Sequence, residues 1–573
     1  MPPSPDTEFP LPDLAAWEAL AAKEGGGSPT VLGWQAEDGV EVAALATPAD
    51  LAGLPHRGVL GAREARTLVL ADEVPSLPAA AAEAYLREAL AGGAEELRLP
   101  AAHLGLLRLA GAQALGPVAF WLVPERDPVV AVRDWLAAAR AHGGSPGSPR
   151  GGIAHDVWLA TLHRAPGAPP AATRREQARA VWSTVLASGT PLAAVEIDGL
   201  HAAASGCTAV QQVGLAIAAL AEHLRDACGA GAQGDALVRH VALRAGVGTR
   251  ILLEIAKLRA LRLLAAKVLH AFGAAPQAAL GVRIAAAADP ATLVRQEPHT
   301  NLIRAALQAF AAAAAGCDSF LPARYDQRRG AADPMAARLA RGVQLLLRHE
   351  AHLAHAEDLT AGSFALEALT DRIARAAWSL VQRIEAVGGL ARTAGAAWLR
   401  DEIAAAQARR SERLRTRRQP IVGTSMFVTE AAGEPDPERD PHVHHESAPF
   451  DRLAALARRF RERTGAAPCA HLDVAGGSAV ARARAEFSAD LLRCAGFDPD
   501  AGETGAHLVV LCAEDAAVHA WAQARRARGR GTLLAIAGRP GSPPADVDFH
   551  FHRDQDVVAT FARVYAALGV PEG

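Results

Sequence analysis

The segment from Pro191 to Ala227 reads PLAAVEIDGLHAAASGCTAVQQVGLAIAALAEHLRDA, and it decides the fold class. Its first residues, Leu192–Ile197, have the apolar and β-branched content of a short strand. After a loop that contains His201, apolar residues recur at three- and four-residue steps, as in a helix that packs on a sheet. These residues are Val210, Val213, Ile217, Leu220 and Leu224. The segment therefore predicts a strand followed by a helix, with a capping box of Thr208 and Gln211 at the helix start.

Two more helical patterns follow, and short β-like runs alternate with helical patterns between residues 30 and 430. The first pattern consists of Ile251, Ile255, Leu258, Leu261, Ala265 and Val268. The second consists of Leu302, Ile303, Ala306, Leu307 and Phe310, and it ends at Gly316. We expect each apolar face to pack on a sheet. Repeated strand-then-helix units predict that this sheet is parallel.

The composition of the chain changes after Val428. Residues 429–449 are rich in Glu, Asp, Pro and His and poor in apolar residues, which is typical of a linker. Beyond them His507–Cys512 and Thr532–Ala537 read as strands, and Ala516–Arg526 and Val557–Leu568 read as helices. The C-terminal part therefore predicts a small, doubly wound α/β domain with crossover helices.

Composition and charge exclude several functional classes. Of the 573 residues, 50% are hydrophobic and 21% are charged, a balance typical of a globular protein with a large core. The formal net charge is −3, so the chain lacks the positive field of a protein that binds nucleic acid. The N-terminus is acidic and proline-rich, and no run of about 18 apolar residues occurs. We therefore expect a soluble protein that is not exported.

The cysteines and histidines form no clear metal or disulfide motif. No CxxC pair occurs, which argues against a zinc site and a disulfide framework and suits a reducing cytoplasm. The histidines of Asp440–Glu446 lie in the predicted linker, where no rigid support for a metal is expected. His550 and His552 alternate along Asp548–His552 as they would in an edge strand. We predict no metal site on this chain. The cysteines are Cys207, Cys228, Cys317, Cys469, Cys494 and Cys512.

His201 is the one candidate for a catalytic side chain. It closely follows the predicted strand Leu192–Ile197, and in a parallel barrel the loops at the carboxyl ends of the strands build the active site. An imidazole there is able to donate a proton or a hydrogen bond to a substrate. The alternative, a histidine that bonds local backbone groups, stays open, because the sequence identifies no second acid, base or nucleophile beside it.

Several blocks of the chain resemble the coenzyme B12-dependent acyl-CoA mutases, specifically the methylmalonyl-CoA mutase family. The segment Gly199–Arg225 is similar to the family's segment with the active-site histidine, and this match carries that role to His201. The blocks that follow in the family's order are EIAKLRA (Glu254–Ala260), EPHTNLIR (Glu297–Arg304), GCDSFLP (Gly316–Pro322), Asp358–Leu390 and QPIVG (Gln419–Gly423). Several blocks in the correct order are more specific than any one of them.

The resemblance implies a (β/α)8 TIM-type barrel that holds acyl-CoA, followed by a flavodoxin-like, cobalamin-binding type of α/β domain. We expect an N-terminal extension at residues 1–30, the barrel at 31–428, the linker at 429–449 and a degenerate cobalamin-binding-like domain at 450–573. In the family's catalytic chains, adenosylcobalamin serves a radical rearrangement between methylmalonyl-CoA and succinyl-CoA.

The chain departs from the family's cobalt-binding motif. Catalytic members carry DxHxxG, whose His ligates cobalt, whereas Cys469–Gly477 reads CAHLDVAGG and has the residue types in another order. The D-x-H sequences at Asp440 and Asp548 lack a Gly three residues after the His. The resemblance therefore implies that this chain does not ligate cobalt.

A second family motif is also missing. Catalytic members take an active-site Tyr from an RGxYPTMY-like segment, and none of Tyr85, Tyr325 and Tyr565 has that context. By contrast, Val40–Leu54 and Ala481–Asp498 resemble the small, non-catalytic subunit of the heterodimeric enzymes.

The resemblance thus implies a small subunit that acts only with a catalytic large subunit. Adenosylcobalamin is then expected on that partner, and neither cofactor nor metal on this chain. Two alternatives stay open. One is a catalytic subunit of a related mutase, of the 2-hydroxyacyl-CoA or isobutyryl-CoA type, that uses a separate cobalamin-binding subunit; His201 supports it. The other is an acyl-CoA-binding or chaperone-like module. We expect no role with nucleic acid or membranes.

Overall fold

The structure of the chain is a computed structural model. It describes residues 13–571 except 26–32, 38, 57, 61–67, 109–116, 126, 142–149, 163–169, 331–332, 354–357, 394–395, 429–442, 528–531, 540–543 and 545. The described part begins with helix α1 (Leu14–Gly25), within the predicted N-terminal extension. An antiparallel hairpin of β1 (Trp34–Glu37) and β2 (Val40–Val42) follows.

Eight parallel strands form a barrel. They are β3 (Val69–Glu73), β4 (Glu96–Pro100), β5 (Ala119–Val123), β6 (Arg150–Ile153), β7 (Val195–Asp198), β8 (Val241–Val247), β9 (Arg283–Ala288) and β10 (Ser319–Leu321). Neighbours along the chain pair from β3 to β6 and from β7 to β10, and β10 pairs with β3. A parallel bridge between Gly152 and Ala193 joins β6 to the residues that lead into β7 and closes the circle. The predicted (β/α)8 barrel is therefore confirmed.

Helices surround the barrel. They are α2 (Ala79–Ala91), α3 (Pro128–Ala141), α4 (Ala171–Ser188), α5 (Leu200–Ala204), α6 (Ala209–Gly229), α7 (Asp235–Arg239), α8 (Ile251–Ala271), α9 (Pro276–Leu280), α10 (Thr300–Ala314), α11 (Pro334–His349), α12 (Phe364–Ala386), α13 (Leu390–Thr393) and α14 (Ala397–Arg415). Strand and helix side chains form one large apolar core, whose burial drives folding. None of the described helices combines the length and the apolar character needed to span a membrane.

The segment that decides the fold class forms the predicted strand, loop and helix, although the strand spans Val195–Asp198 instead of Leu192–Ile197. Thr208 and Gln211 form the predicted capping box, with distances of 3.0 and 3.2 Å between side-chain oxygens and backbone nitrogens. The predicted stripe of α6 is buried, apart from the half-buried Val210. Helix α12 packs on both α6 and α8. These two helices are buried on most sides, because the barrel covers their inner face and α12 covers their outer face.

The sequence predicts the wrong face of α10 as the buried one. The sequence predicts that Ile303, Leu307 and Phe310 pack on the sheet, but these side chains are 65%, 37% and 38% exposed. Small and polar residues face the barrel instead: Asn301, Ala305, Gln308, Ala309 and Ala312. Because α10 has two apolar faces, it is able to turn its alanine face inward, and small side chains allow closer packing on the strands.

The second domain starts with α15 (Ala448–Thr464) and contains one four-stranded parallel sheet. The strand order is β11 (Ala470–Val474), β12 (Leu508–Cys512), β13 (Leu533–Ala537) and β14 (Phe549–Phe551). Helices α15, α16 (Ala479–Cys494) and α18 (Val557–Ala567) cover one face, and α17 (Asp515–Ala527) covers the other. A parallel bridge from Cys469 to Asp498 places the remnant of a second strand beside β11, the order of a flavodoxin-like sheet. The predicted doubly wound domain is confirmed.

Ion pairs join the barrel to the second domain. Arg328, whose side chain is 4% exposed, donates to Ser447 Oγ at 2.6 Å and to Asp451 Oδ2 at 3.1 Å. Among the other pairs across this junction is an exposed one, which joins Arg418 to Asp554 at 3.0 Å. The buried pair is the stronger contact, because water screens the exposed one.

Candidate functional site

A cavity of about 440 Å³ opens at the carboxyl ends of the barrel strands. This is the end of a parallel barrel where loops build active sites. Its lining includes charged and hydroxyl-bearing residues from several strands and loops. They are Asp72, Glu73, Tyr85, Asp198, His201, Arg244 and Arg324. The lining therefore contains His201, which the sequence predicts as a site residue, and six charged or hydroxyl-bearing residues that the sequence does not predict.

His201 lies near the start of α5 and lines the cavity. Its side chain is 38% exposed, and its Nε2 atom lies 3.9 Å from Asp198 Oδ2. That distance is too long for a hydrogen bond but short enough for a strong electrostatic interaction. Arg244 Nη1 lies 3.2 Å from the same oxygen. His201 thus faces the cavity beside an ion pair, as its position after β7 predicts, while its catalytic role stays a prediction.

Asp198 is held in its ionised form. Burial raises the pKa of this carboxyl, but the positive charges of Arg244 and His201 outweigh burial and hold the pKa below its ordinary value. The ionised Asp198 therefore places a negative charge beside the imidazole of His201 in the cavity.

Tyr85 and Asp72 form the opposite side of the cavity. The Tyr85 hydroxyl donates to Asp72 Oδ1 at 2.8 Å, and Arg341 Nη1 donates to Asp72 Oδ2 at 2.8 Å. Burial raises the pKa of Asp72 despite these two donors. Burial and the adjacent Asp72 carboxylate also raise the pKa of Tyr85 above its ordinary value. Tyr85 therefore stays protonated and bound to Asp72.

Two ion pairs cross the barrel lumen below the cavity. Arg98 of β4 donates to both carboxylate oxygens of Glu196 of β7, at 2.9 and 2.7 Å. Arg283 of β9 pairs with Glu96 of β4, and Ser319 Oγ donates to the same carboxylate at 3.0 Å. The partner strands lie three positions apart around the barrel. These side chains therefore fill the axis of the barrel.

A second cavity of about 430 Å³ lies at the amino ends of the strands. Trp121, Arg150, Arg239 and Arg283 contribute to its lining. Because Arg283 also pairs with Glu96, the lumen ion pairs separate this cavity from the one that contains His201. The barrel is thus closed between its two ends.

The sequence contains a signal for the residues that were not predicted. Glu96, Arg98, Glu196 and Arg244 are charged residues inside runs that form strands. A buried charge in a strand is rare and requires a partner. Such residues indicate a charged barrel interior, although the sequence alone does not say which charges pair.

The last described residues before α15 lie on the barrel. Val443 lines the cavity at the carboxyl end, and the His444 N–H donates to the Ala204 carbonyl at 2.7 Å. The Glu446 N–H donates to the Ala291 carbonyl at 2.9 Å. This end of the predicted linker is therefore a fixed part of the barrel surface.

Neither histidine-rich segment provides a metal site in the part of the chain that the structure describes. Asp440–His442 lies outside the described residues, and His445 Nδ1 lies 3.1 Å from the Pro290 carbonyl oxygen. His550 lies in β14 at the edge of the sheet, so the predicted edge strand is confirmed. Within the described ranges, no three His, Cys, Asp or Glu side chains form a group that could hold a metal ion.

The resemblance implies that a cobalt-ligating His of a catalytic chain would lie in the loop after β11, the first strand of the second domain. This loop, Ala475–Ser478, contains no imidazole to ligate cobalt. Asp473 at the end of β11 accepts from Trp521 Nε1 at 3.1 Å and pairs with Arg525 at 2.5 Å. The residues present here do not fit a cobalt-ligating site.

Arg484 of α16 occupies the carboxyl end of the same sheet. Its guanidinium donates to the Ala513 carbonyl and to Asp515 at 2.7 Å. A Cβ atom placed on Gly538 would lie 2.8 Å from Arg484 Cζ. The space beside Gly538 is therefore filled by this side chain.

The comparison with known families decides the relationship. Residues 127–482, more than half of the chain, match the family model described as methylmalonyl-CoA mutase. The chain belongs to the methylmalonyl-CoA mutase family. The match spans most of the barrel and the start of the second domain, so the family predicted from the sequence blocks is confirmed.

Relatives within the methylmalonyl-CoA mutase family include proteins named small subunits. The chain is 31% identical over 404 residues to the methylmalonyl-CoA mutase small subunit of Streptomyces virginiae. This alignment covers 66% of the chain and 65% of that protein. It is 32% identical over 347 residues to the probable small subunit of Mycobacterium bovis, covering 57% of this chain and 55% of the relative.

A relative named simply methylmalonyl-CoA mutase, from Rhizobium meliloti, is 27% identical over 457 residues, covering 72% of this chain and 64% of the relative. The alignments with these three relatives thus span less than two thirds of each relative's own length.

Proposed function

We propose that the chain is the small, non-catalytic subunit of a heterodimeric methylmalonyl-CoA mutase, the enzyme that interconverts methylmalonyl-CoA and succinyl-CoA. The observation that carries the proposal is the closure of the lumen by the ion pairs Arg98–Glu196 and Arg283–Glu96. A barrel that holds acyl-CoA along its axis needs a free lumen. In this chain charged side chains occupy that space.

The lumen ion pairs are costly to open. The side chains of Arg98 and Glu196 are 6% and 0% exposed, so separating them would leave two unpaired charges in the interior. Breaking a buried pair of this kind costs about 3–5 kcal/mol. A ligand threaded through the lumen would have to supply this free energy in addition to the ordinary costs of binding. This cost supports a barrel that holds no substrate.

We expect adenosylcobalamin on the partner, a catalytic large subunit. The lack of an imidazole in Ala475–Ser478 and the position of Arg484 support this assignment. The relatives named small subunits support the pairing with a larger chain. All six cysteines are free thiols, which suits the cytoplasmic location that we propose.

His201 favours a second candidate function, the catalytic subunit of a related B12-dependent acyl-CoA mutase. Its imidazole faces a cavity and has a carboxylate within 3.9 Å. An acyl-CoA would then have to enter from the carboxyl side, where Val443 lines the cavity. This route is less favourable than an open barrel axis, so we place this function second.

Co-expression with a large subunit from the same organism tests the proposal. We expect an equimolar complex in size-exclusion chromatography with light scattering, because permanent interfaces survive dilution. We also expect equilibrium dialysis to find adenosylcobalamin bound to the complex and not to this chain alone. Stoichiometric cobalamin binding by the isolated chain would contradict the proposal. So would a stable monomer that fails to co-elute with the large subunit.

A further inference from the structure

The outer surface of α10 is apolar. Ile303, Leu307 and Phe310 point away from the barrel and are 65%, 37% and 38% exposed. The inner surface of the helix consists largely of alanine, and Arg304 is the one charged residue between Thr300 and Ala314. A helix that is apolar on all sides is normally buried on all sides.

The same chain shows how such helices are covered. α6 and α8 are buried on most sides, and α12 packs across both of them. A Cβ atom on Gly214 of α6 would lie 2.8 Å from Leu380 of α12, so the two helices are in close contact. In the described part of the chain, α10 has no comparable outer layer over Ile303 and Phe310.

The apolar surface continues onto the next helix of the barrel. α11 packs beside α10, and its side chains Met335, Leu339 and Leu346 are 52%, 39% and 50% exposed. We call the six residues Ile303, Leu307, Phe310, Met335, Leu339 and Leu346 the α10–α11 face. The two helices are about 22–24 Å long and 8–10 Å apart, so their outer faces together offer roughly 400 Å² of surface for docking. This is about half of the ~800 Å² that each partner contributes to a stable interface.

The charges around the α10–α11 face decide which partner it fits. Neither helix contains Asp or Glu, and their ionisable side chains are all basic. Arg341 and Arg348 pair with carboxylates of the barrel, and the half-buried Arg304 donates to the Val422 carbonyl at 2.8 Å at the edge of the face. Arg338 is exposed on α11. A second copy of this chain docked on the face would bring like charges together, which is unfavourable. A partner with carboxylates around an apolar centre fits instead.

We propose that the α10–α11 face is the docking surface for the catalytic large subunit, which covers it with an apolar surface edged by carboxylates. This proposal rests on the proposed function and specifies where its interface lies. The uncovered apolar helix supplies the centre of the contact, and Arg304 and Arg338 supply its charged edge.

Ile303→Glu tests the proposal in the full-length chain. The affinity for the large subunit is expected to fall by about thirtyfold or more, the size of an interface hot spot. Val130→Glu is the matched control, because Val130 is 49% exposed on α3, which follows β5 on the opposite side of the barrel from β9 and α10. Its affinity should stay within about twofold of wild type. Arg338→Glu should also weaken binding, and the loss of affinity should be larger at low salt than at high salt.

Thermal unfolding of the three glutamate variants establishes that they fold. Three binding results would overturn the proposal. Equal affinity of folded Ile303→Glu and wild type would show that the face is not the interface. A wild-type homodimer that Ile303→Glu disrupts would show that the occupant is a second copy. If wild type, Ile303→Glu and Val130→Glu all fail to bind the large subunit, the proposed function itself fails. A loss confined to Ile303→Glu supports the proposal.

Discussion

Arg98 and Glu196 are 98 residues apart in sequence and meet inside the barrel, where Arg98 Nη1 lies 2.7 and 2.9 Å from the two carboxylate oxygens of Glu196. Their strands, β4 and β7, lie on different sides of the lumen. The pair therefore spans the space in which an axial ligand would lie. With Arg283 and Glu96, it separates the cavity near His201 from the cavity at the amino end.

Arg98→Met is expected to destabilise the protein by about 3–5 kcal/mol, because it leaves the Glu196 carboxylate buried without its partner. The double variant Arg98→Met/Glu196→Gln should be less destabilised than Arg98→Met alone, since no unpaired charge remains. Urea unfolding followed by circular dichroism measures both. A double variant that is as unstable as Arg98→Met, or less stable, would contradict a direct pair across the lumen.

Asp289 is expected to make stability depend on pH. Burial raises the pKa of this carboxyl to about 6, although the Ala291 N–H and Lys257 favour its ionised form and Glu446 and Glu254 oppose it. Between an unfolded pKa of about 4 and the folded value, the folded state binds more protons than the unfolded state. Stability therefore falls as pH rises through this window. The loss attributable to Asp289 is about 3 kcal/mol at most.

Asp289→Asn should remove this loss, because the amide oxygen still accepts from the Ala291 N–H but carries no charge. The difference in unfolding free energy between Asp289→Asn and wild type should grow in favour of the variant from pH 4 to pH 7. Urea unfolding at several pH values gives this difference directly. A difference that is constant with pH would show that Asp289 titrates normally.

Arg328→Ala is expected to loosen the junction between the two domains. The side chain links the Leu293 carbonyl of the barrel to Ser447 and Asp451, and its loss removes the guanidinium that donates to the Asp451 carboxylate. The amides of His444 and Glu446, which bond to the barrel, should exchange hydrogen at least about tenfold faster.

Arg418→Ala is the matched control for the junction, because Arg418 also joins the two domains but pairs with Asp554 in solvent. An exposed pair contributes about 0–1 kcal/mol, so exchange at His444 and Glu446 should change little. Equal acceleration in the two variants would mean that the buried contact of Arg328 has no special role.

Much of the fold was predictable because its signals are local. The strand, the capping box and the helix of Pro191–Ala227 depend on neighbours in sequence, and the structure contains all three, with the strand beginning at Val195 instead of Leu192. In the second domain, Phe561, Val564 and Tyr565 are fully buried on α18, as the predicted helix requires.

The periodicity of α10 did not predict which of its faces is buried. Periodicity identifies an apolar face, but α10 has a second face of alanine, and close packing on the barrel selects the smaller one. The large side chains Ile303 and Phe310 then point outward. A helix without a polar face gives no sequence signal for which side is buried.

The site was predictable only in part, because only part of its signal is local in sequence. His201 follows a strand and was found from that position, whereas its neighbours Asp72 and Tyr85 come from β3 and α2, more than 100 residues earlier. Only barrel closure brings these residues together. The ion pairs of the lumen likewise depend on the register of strands far apart in sequence.

Turnover of the assembled heterodimer with His201→Ala tests the central claim most directly. If this chain performs no chemistry, methylmalonyl-CoA turnover by the complex should stay within about threefold of wild type, whereas loss of a working acid or base costs roughly 10²-fold or more. Light scattering on the same sample verifies that assembly is intact. A fall of 10²-fold or more in an intact complex would contradict the account and assign the catalytic role to this chain.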